Sequence, residues 1–449
     1  MKTIPQWQLR AAFARRLSER YGREVPAYTT LVDVSREVNE DVLRRTGADA
    51  ERLGSIERVT AERHGAIRVG TPAELQQVAR IFGALGMVPV GFYDLREAAA
   101  SAVPVVSTAF RPIEADELAR NPFRVFTSML TPADPRFFDD DLRARLENFL
   151  GRRRLFPPEL LELADRADRD HELSEVDAER FLGLAVGAFE LSAEPVDRAW
   201  YQELEKVSSV AADIGGVSST HVNHLTPRVL DIDELYRRMS ARGIEMIDAI
   251  QGPPRWAGPD VLLRQTSFRA LAEPRRMREA DGSVTTGALR VRFGEVEARG
   301  IALTRKGRER YDELLAETDR RSSGHDRAEV AKTVWQQGFP DTERGLIEDG
   351  LAFFTYHLRE DRPRRGPTSL TASWVDARPI VYEDFLPRSA AGIFQSNLSG
   401  AGTRDNTREG AHYDVARLSG VLERDIHDPY ELYERQQNAT VEQLMDERT

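Results

Sequence analysis

No cysteine occurs among the 449 residues. That excludes a disulfide framework, a thiolate nucleophile and any sulfur-ligated zinc or iron–sulfur site. Histidine is scarce too, with eight in the chain, so a bound metal would need a few imidazoles together with Asp or Glu. No apolar run approaches the ~18 residues that a membrane-spanning helix requires. The opening stretch MKTIPQWQLRAAFARRLSERY has an apolar helical face broken by arginines. It lacks the continuous apolar segment of a secretory leader, so a cytoplasmic protein is expected. Positive charge is in deficit: 63 Lys and Arg against 74 Asp and Glu give a net charge of −11. Such a chain offers no basic field to nucleic acid. The basic stretch RPRRGP at 362–367 is flanked by acidic segments and reads as a solvated loop. There is no GxxxxGK[ST] phosphate loop, no clear dinucleotide fingerprint and no GxSxG elbow, which weakens nucleotide-dependent and serine-hydrolase readings.

What is present is a repeated grammar. Residues 62–68 read ERHGAIR and residues 222–228 read VNHLTPR, each a histidine followed four residues later by an arginine. After the first comes TPAELQQVARIFGALGM, with Thr71 as helix N-cap, Pro72 at the first helical position and Gly86 near the helix end. VPVGFYDL then reads as a strand. After the second comes DIDELYRRMSARGIEMIDAI, with Asp231 as cap and Gly243 as stop. STAFRP (107–112) and QTSFRA (265–270) follow at similar distances, then the strand-like RVFTSML (124–130) and RVRFGEVEA (290–298). Four landmarks in one order point to a duplicated strand–helix–strand module. The expected organisation is N-terminal helices over 1–60, a first module over 61–138 and a helical insert over 139–205. A second module over 206–310 and a C-terminal segment over 311–449 that covers the site complete it. The alternating charges of the insert suggest an exposed surface.

On a strand, alternate residues share a face, so His64, Ala66 and Arg68 point one way, as do His224, Thr226 and Arg228. If the modules pair symmetrically, the two histidines meet near the axis and can share a metal. In FGEVEARG (293–300) Glu295 and Glu297 lie on one strand face, and buried carboxylates need a cation to offset desolvation. His64, His224 and one of Glu295 and Glu297 would make a set with open positions, which favours non-haem Fe(II) over structural zinc. His221 is read as lying beside the ligands rather than among them. The remaining histidines sit in polar or helical contexts. Arg68 is the candidate anchor for a substrate carboxylate, since its guanidinium can bind one in bidentate fashion.

The paired modules with His64 and His224 resemble the vicinal oxygen chelate superfamily. The longer strings HVNHLTPRVLDIDELY, LLRQTSFRALAEP, FGEVEARGIALT and EDFLPRSAAGIFQSNL resemble the 2-oxoadipate dioxygenase/decarboxylase family, over most of the chain. The resemblance implies an α+β fold in which two βαβββ-type modules form a central curved sheet or barrel with added helical segments. It implies an Fe(II) enzyme of lysine breakdown that converts 2-oxoadipate and O2 to 2-hydroxyglutarate and CO2. Its partners would be a small 2-oxo dicarboxylic acid and O2, with no nucleic acid or membrane. His64 and His224 would bind iron with Glu295 or Glu297. Aligning Phe126 with Phe293 sets polar Ser128 opposite Glu295 and favours that residue. Arg68 would act in catalysis by holding a substrate carboxylate, and His64, Arg68, Arg388 and Ser389 would line the substrate. Valine is expected where this chain has Arg388, a change that bears on substrate choice. Two other readings predict different behaviour: an O2-independent, metal-dependent isomerase or lyase acting on an oxo or hydroxy acid, and a non-catalytic ligand-binding protein.

Overall fold

The computed structural model describes residues 2–97, 102–359, 370–386 and 404–446. Two long helices, Gln6–Glu24 and Pro26–Thr46, come first. The first module then runs strand Arg63–Val69, helix Pro72–Gly83, and strands Val88–Asp94, Val105–Arg111 and Arg124–Leu130. The helix begins as its sequence demands. The Thr71 hydroxyl accepts from the Glu74 amide while the Glu74 carboxylate reaches back to the Thr71 amide, satisfying donors that the first turn leaves open. It stops before Gly86, whose φ of 67° suits glycine.

The second module repeats this order. Strand Val222–Pro227 leads into helix Ile232–Ala241, capped by Asp231. Gly243 follows at φ 75°. The next element is reduced to bridges, Met246 with Phe268 and Gln251 with Gln265. Strands Leu263–Ser267 and Glu295–Arg299 complete the module, with the hairpin Glu273–Arg278 and Val284–Leu289 inserted between them.

The first strands of the two modules lie side by side and antiparallel, with Gly65 opposite Leu225. The five-stranded sheet has the order Val88–Asp94, Val105–Arg111, Arg124–Leu130, Arg63–Val69, Val222–Pro227. A parallel bridge from Arg228 to Glu297 carries it on to the pair Glu295–Arg299 and Leu263–Ser267. The architecture is thus the α+β, paired-module one, but the barrel is not closed among the described residues. Joining the modules through their first strands puts the outer strand of the first module and the 246–251 segment of the second at opposite ends, where neither pairs with the other.

The segment between the modules is helical: Asp140–Arg152, Pro158–Asp170, Glu175–Ala188 and Arg198–Val207. It is less exposed than its charges suggest. Leu142, Leu146 and Leu150 form a buried stripe at four-residue spacing, and with Phe181 and Leu204 they join the same apolar core as both modules and the first two helices. A second apolar cluster joins Val261–Leu263 and Ile301–Leu303 to the C-terminal part through Trp335, Phe354 and Tyr433. Among the described residues no helix is long and apolar enough to cross a membrane.

Candidate metal centre

The antiparallel register of the two first strands sets His64 across from Thr226 and His224 across from Ala66. The two imidazoles therefore sit on neighbouring strands, offset by two residues. Their centroids are 5.4 Å apart and their planes cross at 82°. Phe385 packs on the His64 ring at 5.0 Å and Phe293 on the His224 ring at 5.0 Å, so apolar walls hold both rings.

Glu295 opens the strand Glu295–Arg299 and points between them. Its Oε1 is 3.7 Å from His64 Nε2 and its Oε2 is 3.4 Å from His224 Nε2. One donor atom from each of His64, His224 and Glu295 lies within 4.8 Å of the others, and all three residues are buried. The electrostatics agree with this geometry. Burial, with the nearby Glu297 charge, pushes the Glu295 carboxyl well above its ordinary range. Burial holds both imidazoles below theirs, His224 further because His64 and Arg68 add to the effect. Two neutral imidazoles thus face a carboxylate that, among the described residues, has no Arg or Lys at ion-pair distance. A divalent cation fits that donor set and removes the cost of the buried charge.

Glu297, two residues on, is placed differently. Arg299 binds it in bidentate fashion at 2.7 and 2.9 Å, and its Oε2 is 2.9 Å from His64 Nδ1. Burial alone would raise its pKa, but Arg299 and His64 hold it well below the ordinary carboxylate range. Glu297 thus stands on the Nδ1 side of His64, where a carboxylate can orient a ligating imidazole. The structure separates the two glutamates that the sequence left open: Glu295 joins the histidines and Glu297 stands behind one of them. The alignment that favoured Glu295 was out of register, however. Glu295 pairs with Ser267, and Phe126 with Ala109, so with Thr266 matched to Thr108 it is Phe126 that corresponds to Glu295. Ser128 corresponds to Glu297.

Arg68 is buried and forms a short ion pair with Asp213; its charge acts on His224. Its counterpart Arg228 has other partners. It pairs with Glu62 at 2.9 Å and donates to the Leu53 carbonyl at 2.8 Å. His221 is not in the three-residue cluster; its Nε2 is 3.1 Å from Asp213 Oδ1. Arg388 and Ser389 lie outside the described residues. Several participants carried no sequence signal of their own. Asp213 sits in the unremarkable helix Ser209–Gly215. Phe385 reaches the site only through long-range packing, whereas Arg299, two residues from Glu297 on the same strand, also donates to the Tyr382 and Asp384 carbonyls at 2.7 and 3.0 Å. Glu62 could have been noticed, since it stands two residues before His64 and engages both Arg124 and Arg228.

Residues 13–397 match the family described as 2-oxoadipate dioxygenase/decarboxylase. The chain belongs to that family. It is 58% identical to the 2-oxoadipate dioxygenase/decarboxylase of Mycobacterium tuberculosis over 96% of this chain and 97% of that protein. The hydroxyglutarate synthase of Pseudomonas putida, solved in complex with 2-oxoadipate, superposes with a TM-score of 0.85 at 36% identity, covering 100% of this chain and 99% of that one. A glyoxalase superfamily protein of Ralstonia eutropha shares the fold alone, with a TM-score of 0.50 at 23% identity over 66% of this chain and 84% of that one. Members of the 2-oxoadipate family are enzymes, and this chain carries the family's paired modules with a buried His/Glu cluster at their junction.

Proposed function

We propose that this chain is an Fe(II)-dependent dioxygenase and decarboxylase that converts 2-oxoadipate and O2 to 2-hydroxyglutarate and CO2 in the cytoplasm. The observation that carries the reading is Glu295, a buried carboxylate flanked by two neutral imidazoles and by no Arg or Lys among the described residues. His64, His224 and Glu295 would hold the iron. The ion would supply adjacent sites for a chelating 2-oxo acid and for O2, and the electrons that O2 reduction draws on. The protein's own groups set the conditions. Glu297 keeps His64 in the tautomer that offers Nε2 to the centre. Arg68 holds a substrate carboxylate while Asp213 balances its charge. Phe385, Phe293 and Phe126 wall the site with apolar surface, which excludes water that would divert a reactive species.

The reaction balances: the six carbons of the substrate leave as a five-carbon hydroxy acid and CO2, and both oxygen atoms of O2 enter the products. The test is O2 uptake by protein loaded anaerobically with Fe(II), with products identified by mass. One O2 consumed per 2-hydroxyglutarate and per CO2, abolished in His224→Ala, supports the reading. Turnover without O2, or metal-loaded protein inert toward 2-oxoadipate, contradicts it.

A further inference from the structure

The proposed reaction leaves His221 and Asn223, two buried neighbours of the Arg68–Asp213 pair, without a role. Asp213, 2% exposed, receives three neighbours. Arg68 Nη1 pairs with its Oδ2, Asn223 Nδ2 donates to the same oxygen at 2.8 Å, and His221 Nε2 lies 3.1 Å from Oδ1. Burial works against this charge, but His221 and Arg68 overcome it and hold the carboxyl below its ordinary range.

The backbone is shaped to allow this. Between Ala66 and Ile67 the ladder slips: Ala66 pairs with His224 but Ile67 with Val222, so Asn223 has no residue across from it. Such a bulge re-aims a side chain beside a site. Here Asn223 reaches the same carboxylate as Arg68, immediately next to His224. Stability does not require the arrangement, since a buried ion pair is seldom better than apolar packing of equal volume. The cluster also leaves Asp213 Oδ1, His221 Nδ1 and Asn223 Oδ1 buried outside hydrogen-bond geometry among the described residues, so His221 acts on Asp213 through its proximity at 3.1 Å.

We infer that Asp213 is a positioning residue for substrate capture: braced by His221 and Asn223, its carboxylate fixes the Arg68 guanidinium beside the His64–His224–Glu295 centre. The inference rests on the proposed function, in which Arg68 holds a substrate carboxylate. Asp213 touches no reacting atom and acts only through Arg68. That dependence makes it separable from a purely structural ion pair.

The test is a double-mutant cycle with Arg68→Ala, Asp213→Asn and the double variant, each loaded with Fe(II) and assayed for 2-oxoadipate turnover. Anaerobic 2-oxoadipate binding by calorimetry and metal content are read in parallel. Asp213→Asn is expected to raise KM and the binding constant about tenfold with kcat within about threefold, because orientation of a binding group is lost and chemistry is not. Arg68→Ala is expected to raise both constants more, and the double variant to be within about twofold of Arg68→Ala, since the two residues act as one unit. Iron content should match wild type in all three. If Asp213→Asn does not fold, His221→Gln keeps the test, with a smaller rise in KM that likewise vanishes in the Arg68→Ala background. Wild-type binding of 2-oxoadipate with Asp213→Asn binding equally well overturns the inference alone. So does an Asp213→Asn defect that multiplies with that of Arg68→Ala. Failure of the wild-type protein to bind 2-oxoadipate overturns the proposed function and this inference with it.

Discussion

In the first module the strand Arg124–Leu130 carries Phe126 where the second module's strand Glu295–Arg299 carries Glu295. The first strands show the opposite: each module keeps its histidine, His64 in one and His224 in the other. The arginines diverge again. Arg68 turns toward Asp213 beside the centre, whereas Arg228 turns toward Glu62 and the Leu53 carbonyl. A duplicated backbone thus offers two equivalent sets of positions, and the side chains fill them unequally. One centre results, at the junction, with two ligand-type imidazoles and a single unbalanced carboxylate. A symmetric filling would have placed two carboxylates there, and their mutual repulsion would have favoured a different charge state.

The comparison can be broken most sharply at Glu295. Glu295→Gln keeps the shape but removes the charge, and should abolish most iron binding and, with it, 2-oxoadipate turnover. Glu297→Gln, two residues away, should retain one iron per chain at saturating Fe(II).

The arginines come next. Arg228→Ala leaves buried Glu62 still paired with Arg124, and should cost about 1–3 kcal/mol in chemical denaturation while leaving KM unchanged. Arg68→Ala should raise KM, and because it leaves buried Asp213 without its arginine it should also cost about 3–5 kcal/mol. If both variants raised KM alike, the two modules would be functionally equivalent and the asymmetry would be lost.

Glu297→Gln should still weaken iron affinity about 10–100-fold, as loss of a carboxylate behind a ligating imidazole does. A competition titration against a chelator measures it.

The smallest effect is in pH. The folded metal-free protein holds the Glu295 proton more tightly than the unfolded chain does. This contribution to stability is present below the unfolded pKa of 4.5 and is lost as pH rises toward the higher folded value. A divalent cation replaces that proton, so the rise in Tm on adding metal should grow as pH rises above the unfolded value toward the folded one. In Glu295→Gln the rise should be small and nearly independent of pH.

Much of this arrangement was legible in the sequence where local chemistry fixes it. The Thr71 cap, Gly86, the Asp231 cap and Gly243 mark the same helix in both modules, because capping and positive φ depend on a few neighbouring residues. The histidine pair was legible for the same reason, as equivalent positions on equivalent strands. What failed depends on register and on distant partners. Alternation along a strand does not say where pairing begins, and the strand starts at Glu295 rather than at Arg290. The Phe126–Phe293 alignment therefore slipped by two residues, and it reached Glu295 by an incorrect route. The open sheet was illegible because closure turns on pairing between the ends of two modules. The insert's buried leucines were visible at 142, 146 and 150, but its charge pattern drew the reading toward solvent. Asp213 had no local mark at all; only the bulge at Asn223 and the fold bring it to Arg68.

The most direct test of the central claim is anomalous diffraction at the iron edge from crystals loaded anaerobically with Fe(II). The account predicts one peak per chain, about 2.0–2.2 Å from His64 Nε2, His224 Nε2 and a Glu295 oxygen, with Glu297 still on Arg299. A peak bound by Glu297 in place of Glu295, or a second peak in the first module near Phe126, would contradict it.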